Sequence, residues 1–185
     1  KYIAGKMMLV RALVLGLHLD VVVQSSTPLK DNSRLYDFVA MTPFQATHSL
    51  EDMDKVSSLI VGGSTVDPPL KKALIGQKIQ AFETYGMTET LSHIAVRKMD
   101  APTAEFNVLP DISVRQDKRN CLVVDAPNIG VANLVTNDEI ELIDDKTFRL
   151  IGRIDHVINS GGIKLHPEVI ESKLSEYLAV PFFIG

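Results

Sequence analysis

Apolar and polar stretches alternate regularly over the first 98 residues, and this alternation predicts the fold class. Residues 6–17 are apolar nearly all round and predict a buried helix, and residues 19–23 predict a strand buried on both faces. Further strands are predicted at residues 38–43, 58–61 and 78–84. Helices are predicted to start after the turn at residues 31–33, at Pro43, and at Pro68 behind an Asp67 cap. The pattern is typical of an α/β protein with a parallel sheet flanked by helices.

The pattern changes after residue 98. Short strand-like runs at residues 107–114, 120–126, 139–143 and 147–151 are separated by turn residues, which predicts a small antiparallel β unit. Residues 155–161 are interpreted as a polar joint, residues 167–178 as a helix, and residues 180–184 as a further strand. We therefore divide the chain into an α/β part (1–98), a β-rich subdomain (99–154), and a hinge with the start of a C-terminal α+β domain (155–185).

Composition excludes several classes of function. The chain has 185 residues and a net charge of −4 without a basic block, which argues against nucleic acid as a partner. Its single cysteine, Cys121, allows no internal disulfide and fits a reducing compartment. The five histidines are scattered, so no structural zinc site is indicated. No signal peptide or membrane span is visible, and a cytoplasmic location is expected.

Candidate chemistry lies where two predicted strands end. Residues 85–90, which read Tyr-Gly-Met-Thr-Glu-Thr, place two hydroxyls and the Glu89 carboxylate in one turn, a set that suits a phosphate and Mg²⁺. A solvated surface turn would explain these six residues equally well. Gly62 and Gly63 follow the strand before it and could border a flat base, or form an ordinary turn. Both loops are expected at one edge of a parallel sheet.

A second stretch, residues 151–171, makes the turn more informative. It follows the pattern Gly-Arg-x-Asp-x-x-Ile and continues with Gly161, Gly162, Lys164, Pro167 and a Glu-rich helix start. Together with Tyr-Gly-x-Thr-Glu, it resembles the adenylate-forming superfamily of acyl-CoA synthetases, luciferases and peptide-synthetase adenylation domains. The two patterns occur in the order of the superfamily and at about its spacing, and the resemblance covers nearly the whole chain.

The resemblance implies a nucleotide site. Gly62, Gly63 and Tyr85 would border adenine, Thr88 would contact phosphate, and Glu89 would support Mg²⁺.

Two residues further along the chain would complete this nucleotide site. Asp138 would hold the ribose hydroxyls of ATP, which two carboxylate oxygens can do. It follows Asn137, where the pattern has glycine, and asparagine tolerates the positive φ of such a turn. Arg153 would contact ribose and phosphate. Taken alone, Asp138 could be a turn aspartate, and Arg153 part of a surface ion pair.

The same resemblance assigns a hinge, a thioester loop and an acyl pocket. Asp155 would be the hinge about which the C-terminal domain rotates, and Gly161, Gly162 and Lys164 would form the loop used in thioester formation. Gly86, Met87, Ser92 and His93 would face the acyl substrate, since residues 85–97 look most like the o-succinylbenzoate–CoA ligases of menaquinone synthesis.

The implied reaction joins a carboxylic acid to ATP with Mg²⁺ and then transfers the acyl group to coenzyme A. The lysines of the superfamily's phosphate loop and of its C-terminal domain have no equivalent here, so a central fragment that is inactive alone is expected. Another acyl- or aryl-CoA synthetase, a carrier-loading adenylation domain and a non-catalytic nucleotide-binding module are the alternatives. The sequence leaves the exact acid and the oligomeric state open.

Overall fold

Three parallel strands organise the first part of the chain in the computed structural model, which describes residues 3–175, 177–178 and 182–184. The strands are β1 (Tyr36–Met41), β2 (Val56–Val61) and β3 (Gln80–Gly86). Met41 lies opposite Val61, and Val61 lies opposite Glu83, so the strands reach their carboxyl ends together. This alignment brings the loops after β2 and β3 to one edge.

Helices precede and connect these strands, as the pattern predicts. They are α1 (Ile3–Leu15), α2 (Pro43–His48) and α3 (Pro68–Ile75), with short 3-10 helices at Leu50–Lys55 and Thr88–Thr90. The start of α2 is fixed locally, because the Thr42 hydroxyl accepts from the Gln45 amide and the Gln45 side chain accepts from the Thr42 amide. Leu70 and Leu74 of α3 join Leu59 of β2 in the buried core.

Antiparallel strands dominate the second part. They are β4 (His93–Lys98), β5 (Phe106–Val108), β6 (Ser113–Gln116), β7 (Cys121–Ala126), β8 (Val131–Leu142) and β9 (Thr147–Arg153), with a 3-10 turn at Pro127–Ile129. The order from β5 onward is β5-β9-β8-β7-β6. A separate hairpin, β10 (Ile158–Ser160) and β11 (Ile163–Leu165), precedes α4 (Pro167–Leu174). Stacked Phe106 and Phe148, with centroids 5.6 Å apart, fill the core.

The described residues form two compact units. The first comprises residues up to 66 with 70–94 and 98–100, and the second comprises 67–69, 95–97 and residues from 101 onward. The predicted fold class, an α/β part with a flanked parallel sheet followed by antiparallel strands, is confirmed. The division at residues 98 and 154 remains a prediction. Within the described residues, no helix is long and apolar enough to cross a bilayer.

Two predictions for the first 23 residues are wrong. Residues 19–23 form no strand, and Val21 and Val23 are 84% and 87% exposed. The run is β-branched, but no described strand pairs with it, and a strand needs a partner for its backbone groups. Helix α1 forms but is not buried, since Leu13 and Val14 are 74% and 76% exposed. Helix α1 is apolar on nearly every side, and contacts on one side leave the other apolar residues exposed.

Other differences concern where elements begin and end. The turn at residues 31–33 leads into β1 and not into a helix, and the run at 107–114 is two strands, β5 and β6, separated by a turn with Asp111 at a φ of 62°. Strand β8 starts eight residues before the predicted one, and part of the predicted joint at 155–161 pairs in the β10–β11 hairpin. Helix α4 ends at Leu174 and not at residue 178. The strand predicted at 180–184 falls partly on residues outside the described ranges.

Candidate functional site

The turn at residues 85–90 is held by its own side chains. Strand β3 ends at Gly86, and the Met87 amide donates to the Thr90 hydroxyl at 3.0 Å. Thr90 is buried, and its hydroxyl also lies 2.8 Å from the Ser92 carbonyl oxygen. Thr88 and Glu89 are exposed on the outer side of the turn. The fold therefore fixes the turn while leaving one hydroxyl and one carboxylate available to a ligand.

Close backbone packing explains Gly86. A Cβ added there would lie 2.4 Å from the Ser92 carbonyl oxygen and 2.5 Å from the His93 Cα, both main-chain atoms. Main chain cannot move aside as a flexible side chain can. The return of the chain from Ser92 to His93 beside Gly86 is thus possible only with glycine at this position.

Replacing Gly86 by alanine should lower the thermal unfolding midpoint, since overpacking of this kind costs about 1–3 kcal/mol. Gly5→Ala is the matched control, because an added Cβ there meets nothing within 4 Å. An unchanged midpoint in Gly86→Ala would contradict the close packing of residues 86 and 92–93.

Gly62 and Gly63 lie at the same edge of the first unit. A Cβ on Gly62 would fall 2.2 Å from the Thr84 hydroxyl oxygen, whereas Gly63, at a φ of 95°, meets one side-chain atom at 3.9 Å. Tyr85 is 9% exposed and follows Thr84 on β3. The open main chain at Gly63 could lie against a flat ring. The adenine roles of Gly62, Gly63 and Tyr85 remain predictions.

Arg11 joins the predicted acyl-facing residues, and the sequence reasoning missed it. Its Nη2 lies 3.4 Å from the Ser92 hydroxyl and 3.3 Å from the His93 Nδ1, and its Nη1 lies 3.4 Å from the Met8 sulfur. No carboxylate pairs with Arg11 within the part of the chain that the structure describes. The signal available in the sequence was a cation, Arg11, in the middle of the apolar helix α1, which also carries Lys6 near its start. A partly buried guanidinium without an acidic partner favours an anionic ligand.

The protonation of His93 follows from this contact. Burial first, and then the positive charge of Arg11, lower the pKa of His93 below its ordinary value. Arginine can only donate, so the Nδ1 that faces Arg11 accepts, and the ring proton is on Nε2. The neutral ring therefore adds no second positive charge beside Arg11.

Asp138, Arg153 and Asp155 form one ion network in the second unit. Asp138 lies directly opposite Arg153 on β8 and β9, and Arg153 Nη1 donates to Asp138 Oδ1 at 3.2 Å. Arg153 also binds Asp155 with two contacts, 3.0 Å from Nε and 2.7 Å from Nη2. This Arg153 contact, as the largest cause, lowers the pKa of Asp155 to about 2. Arg153 thus holds one carboxylate on each side of it.

The local backbone differs from the predicted turn. Asp138 lies within β8, and Asn137 does not adopt a positive φ. The reason is a bulge: Cys121 pairs with Glu139 and Val123 with Val135, so residues 136–138 face a single residue of β7. The Asp138 side chain is 13% exposed.

The predicted thioester loop is a tight hairpin turn. Gly161 and Gly162 have φ values of 57° and 82° and join β10 to β11. Two consecutive positive φ angles are the signature of a type I′ turn. Lys164 pairs with Asn159 across the hairpin and is exposed. The roles of these residues and of Asp155 remain predictions.

The metal role of Glu89 can be tested against its surroundings. Among the described residues, no group of three or more His, Cys, Asp and Glu gathers to hold an ion. Mg²⁺, however, is usually bound by one or two carboxylates together with phosphate oxygens and water. A single exposed Glu89 beside Thr88 fits such a site, in which the nucleotide supplies the remaining oxygen ligands.

The chain is similar to proteins of one kind. It is 34% identical to an acyl-CoA synthetase (AMP-forming)/AMP-acid ligase II-like protein from Dyadobacter fermentans, with a TM-score of 0.74 over 95% of this chain and 52% of that one. It is 24% identical to 2-succinylbenzoate–CoA ligase of Escherichia coli over 97% of this chain and 43% of that protein.

A second solved structure shares the fold. The Bacillus subtilis o-succinylbenzoate coenzyme A synthetase, in complex with ATP and magnesium ion, has a TM-score of 0.74 and 19% identity over 94% of this chain and 44% of that one. No protein-family model matches the sequence. The chain spans about half the length of these relatives.

Proposed function

We propose that this chain, whose structural neighbours are AMP-forming acyl-CoA synthetases, is the central part of an ATP-dependent acid–CoA ligase. In the complete enzyme, a carboxylate oxygen of the acid attacks the α-phosphorus of ATP, and pyrophosphate leaves. The thiol of coenzyme A then attacks the acyl carbon, a thioester forms, and AMP leaves. Mg²⁺ would neutralise phosphate charge in the first step.

The observation that carries this proposal is the pairing of Asp138 with Arg153. A carboxylate can accept hydrogen bonds from the two adjacent hydroxyls of a ribose, and a guanidinium can donate to phosphate. Acceptor and donor lie 3.2 Å apart on paired strands, which fixes both against one rigid scaffold. In the first unit, the exposed Thr88 hydroxyl and Glu89 carboxylate suit phosphate and Mg²⁺.

The acid we propose is o-succinylbenzoate, which would place the enzyme in menaquinone synthesis. This acid has two carboxylates, and only one of them is activated. The other needs a cation, and Arg11 offers one beside Ser92 and His93 without an acidic partner among the described residues. The name of the E. coli relative, 2-succinylbenzoate–CoA ligase, contains the same acid. The proposed location is the cytoplasm, which the free, buried Cys121 fits.

A thioester assay of the complete enzyme tests this function. ATP, Mg²⁺ and coenzyme A would be supplied with a panel of acids: o-succinylbenzoate, benzoate, medium-chain fatty acids and amino acids. Preference for o-succinylbenzoate would support the proposal. Preference for an acid with a single carboxylate would identify another acyl- or aryl-CoA synthetase, and no thioester with any acid would overturn the ligase.

Replacing Arg11 by methionine should raise the KM for o-succinylbenzoate by about tenfold, since a charge-assisted hydrogen bond is lost, and leave the KM for ATP unchanged. The matched control is Arg34→Met, which removes an exposed arginine of the first unit whose partner is Asp20. Equal KM values for the acid in Arg11→Met and the wild type would remove Arg11 from the acyl site.

A further inference from the structure

The segment that carries Asp138 lacks regular strand pairing on its β7 side. Between the pairs Cys121–Glu139 and Val123–Val135, β8 has two more residues than β7, so residues 136–138 bulge out of the ladder. Bulged residues lose part of their interstrand hydrogen bonding and need other partners. Here the buried Thr136 hydroxyl donates to the Leu122 carbonyl at 2.8 Å and accepts from the Asp138 amide at 3.1 Å.

Arg119 supplies the remaining support. It lies in the loop between β6 and β7, and its Nη2 donates to the Thr136 carbonyl at 3.1 Å. Its Nη1 donates to the Asn137 Oδ1 at 3.3 Å. Both contacts are to the bulge and neither is to the hydrophobic core.

The other side of Arg119 is anchored. Its Nε donates to Asp117 Oδ2 at 2.8 Å, and the opposite oxygen of Asp117 accepts from the main-chain amides of Arg119 and Cys121 at 2.7 and 2.9 Å. The guanidinium is therefore fixed to its own loop before it reaches the bulge. A side chain held at both ends can set the position of the segment it contacts.

The contacts continue from Asn137 to the ion network. The Asn137 carbonyl accepts from the Ile154 amide at 2.9 Å, and Ile154 lies between Arg153 and Asp155. The Asn137 side chain also helps, after the larger effect of Arg153, to lower the pKa of Asp155. The contacts therefore run from Arg119 through Asn137 to the main chain between Arg153 and Asp155. A glycine at position 137, as in the superfamily pattern, would offer no side chain to Arg119.

We propose that Arg119 is a positioning residue for nucleotide binding: through Thr136 and Asn137 it sets the bulge that presents Asp138 to ATP. This inference rests on the proposed function and deepens it, because it adds a residue that touches neither ATP nor the acid. It predicts that Arg119 acts on the nucleotide alone, and only while Asp138 is present.

The test measures ATP binding by titration calorimetry and, separately, the KM values of the complete enzyme. Arg119→Met should weaken ATP binding by about five- to tenfold, the effect of one typical lost hydrogen bond, with the KM for the acid unchanged. Arg119→Lys keeps the charge but loses the planar fork of donors, so its ATP affinity should fall between those of the wild type and Arg119→Met. In the Asp138→Ala background, Arg119→Met should have little further effect.

Arg115→Met is the matched control. Arg115 lies on the neighbouring strand β6, is as exposed as Arg119 (49% against 47%), and pairs with Asp125 and Asn133 instead of the bulge. It should bind ATP like the wild type. If Arg119→Met does not fold, Asn137→Gly removes the same side-chain contact and should weaken ATP binding in the same direction.

The outcomes distinguish a failure of the role of Arg119 from a failure of the proposed ligase function. Equal ATP binding in Arg119→Met and the wild type, or equal losses in Arg119→Met and Arg115→Met, would overturn the role of Arg119. A wild-type enzyme that binds ATP but activates no acid would overturn the ligase alone. A wild-type enzyme that does not bind ATP would overturn both.

Discussion

Asp138→Ala in the complete enzyme should raise the KM for ATP by about tenfold or more, while the KM for the acid stays within about twofold of the wild type. The Asp138 side chain is 13% exposed and pairs with Arg153 at 3.2 Å, which fixes the direction of its carboxylate. Removing it takes away the acceptor proposed for both ribose hydroxyls. It also releases Arg153 from one of its two carboxylates.

A matched control is available on the adjacent strand. Asp125 of β7 also pairs with an arginine, Arg115, and is 35% exposed, but it lies outside the bulge. Asp125→Ala therefore removes an ion pair of the same kind and should leave the KM for ATP unchanged. An unchanged KM for ATP in Asp138→Ala would remove Asp138 from the nucleotide site, and equal increases in both variants would indicate general damage to the sheet.

Local signals account for the part of the fold that could be predicted from sequence. Helix α2 starts at Pro43, because the proline and the reciprocal Thr42–Gln45 hydrogen bonds all act within four residues. Strand β2 ends at Val61, as predicted, and β3 ends at Gly86, within the predicted turn, and adjacent parallel strands then require their loops to share an edge. Where one local arrangement decides an element, the sequence is sufficient.

Elements that depend on distant partners could not be predicted in this way. Residues 19–23 have the composition of a strand, yet no described strand pairs with them. Strand β8 begins at Val131 because it pairs with β7, not because residues 131–138 alternate clearly. The bulge at 136–138 depends on the registers of two neighbouring strands, which a single sequence does not reveal.

The same limit applies to the candidate site. The turn at 85–90 and the pattern at 151–171 could be recognised because each is continuous in sequence. Arg11 is 81 residues from Ser92, and Arg119 is 18 residues from Asn137, so their contacts exist only in the folded chain. Most of the residues proposed to contact the ligand lie in continuous sequence motifs, whereas the residues that position them are recognised only from hydrogen bonds in the folded chain.

Asp155→Pro in the complete enzyme should slow one half-reaction at least about tenfold more than the other. The prediction follows from the proposed rotation of the C-terminal domain, since proline fixes φ near −65° and restricts the residue before it. Adenylation needs one orientation and thioester formation needs the other. Pyrophosphate release reports the first half-reaction, and transfer from preformed acyl-adenylate to coenzyme A reports the second.

The ion pair with Arg153 requires its own control, because Asp155→Pro also removes a carboxylate. Arg153 holds the pKa of Asp155 to about 2, below its ordinary value of 3.8. The pair therefore stabilises the fold above that ordinary value, and its contribution is lost only as the pH falls through about 2.

Asp155→Ala removes the same pair at assay pH but leaves φ free. If Asp155 is the hinge, Asp155→Ala should change both half-reactions by similar factors, and only Asp155→Pro should separate them. Equal losses in both half-reactions of Asp155→Pro would make Asp155 a structural partner of Arg153, and no loss in either would move the bend to residues 159–162.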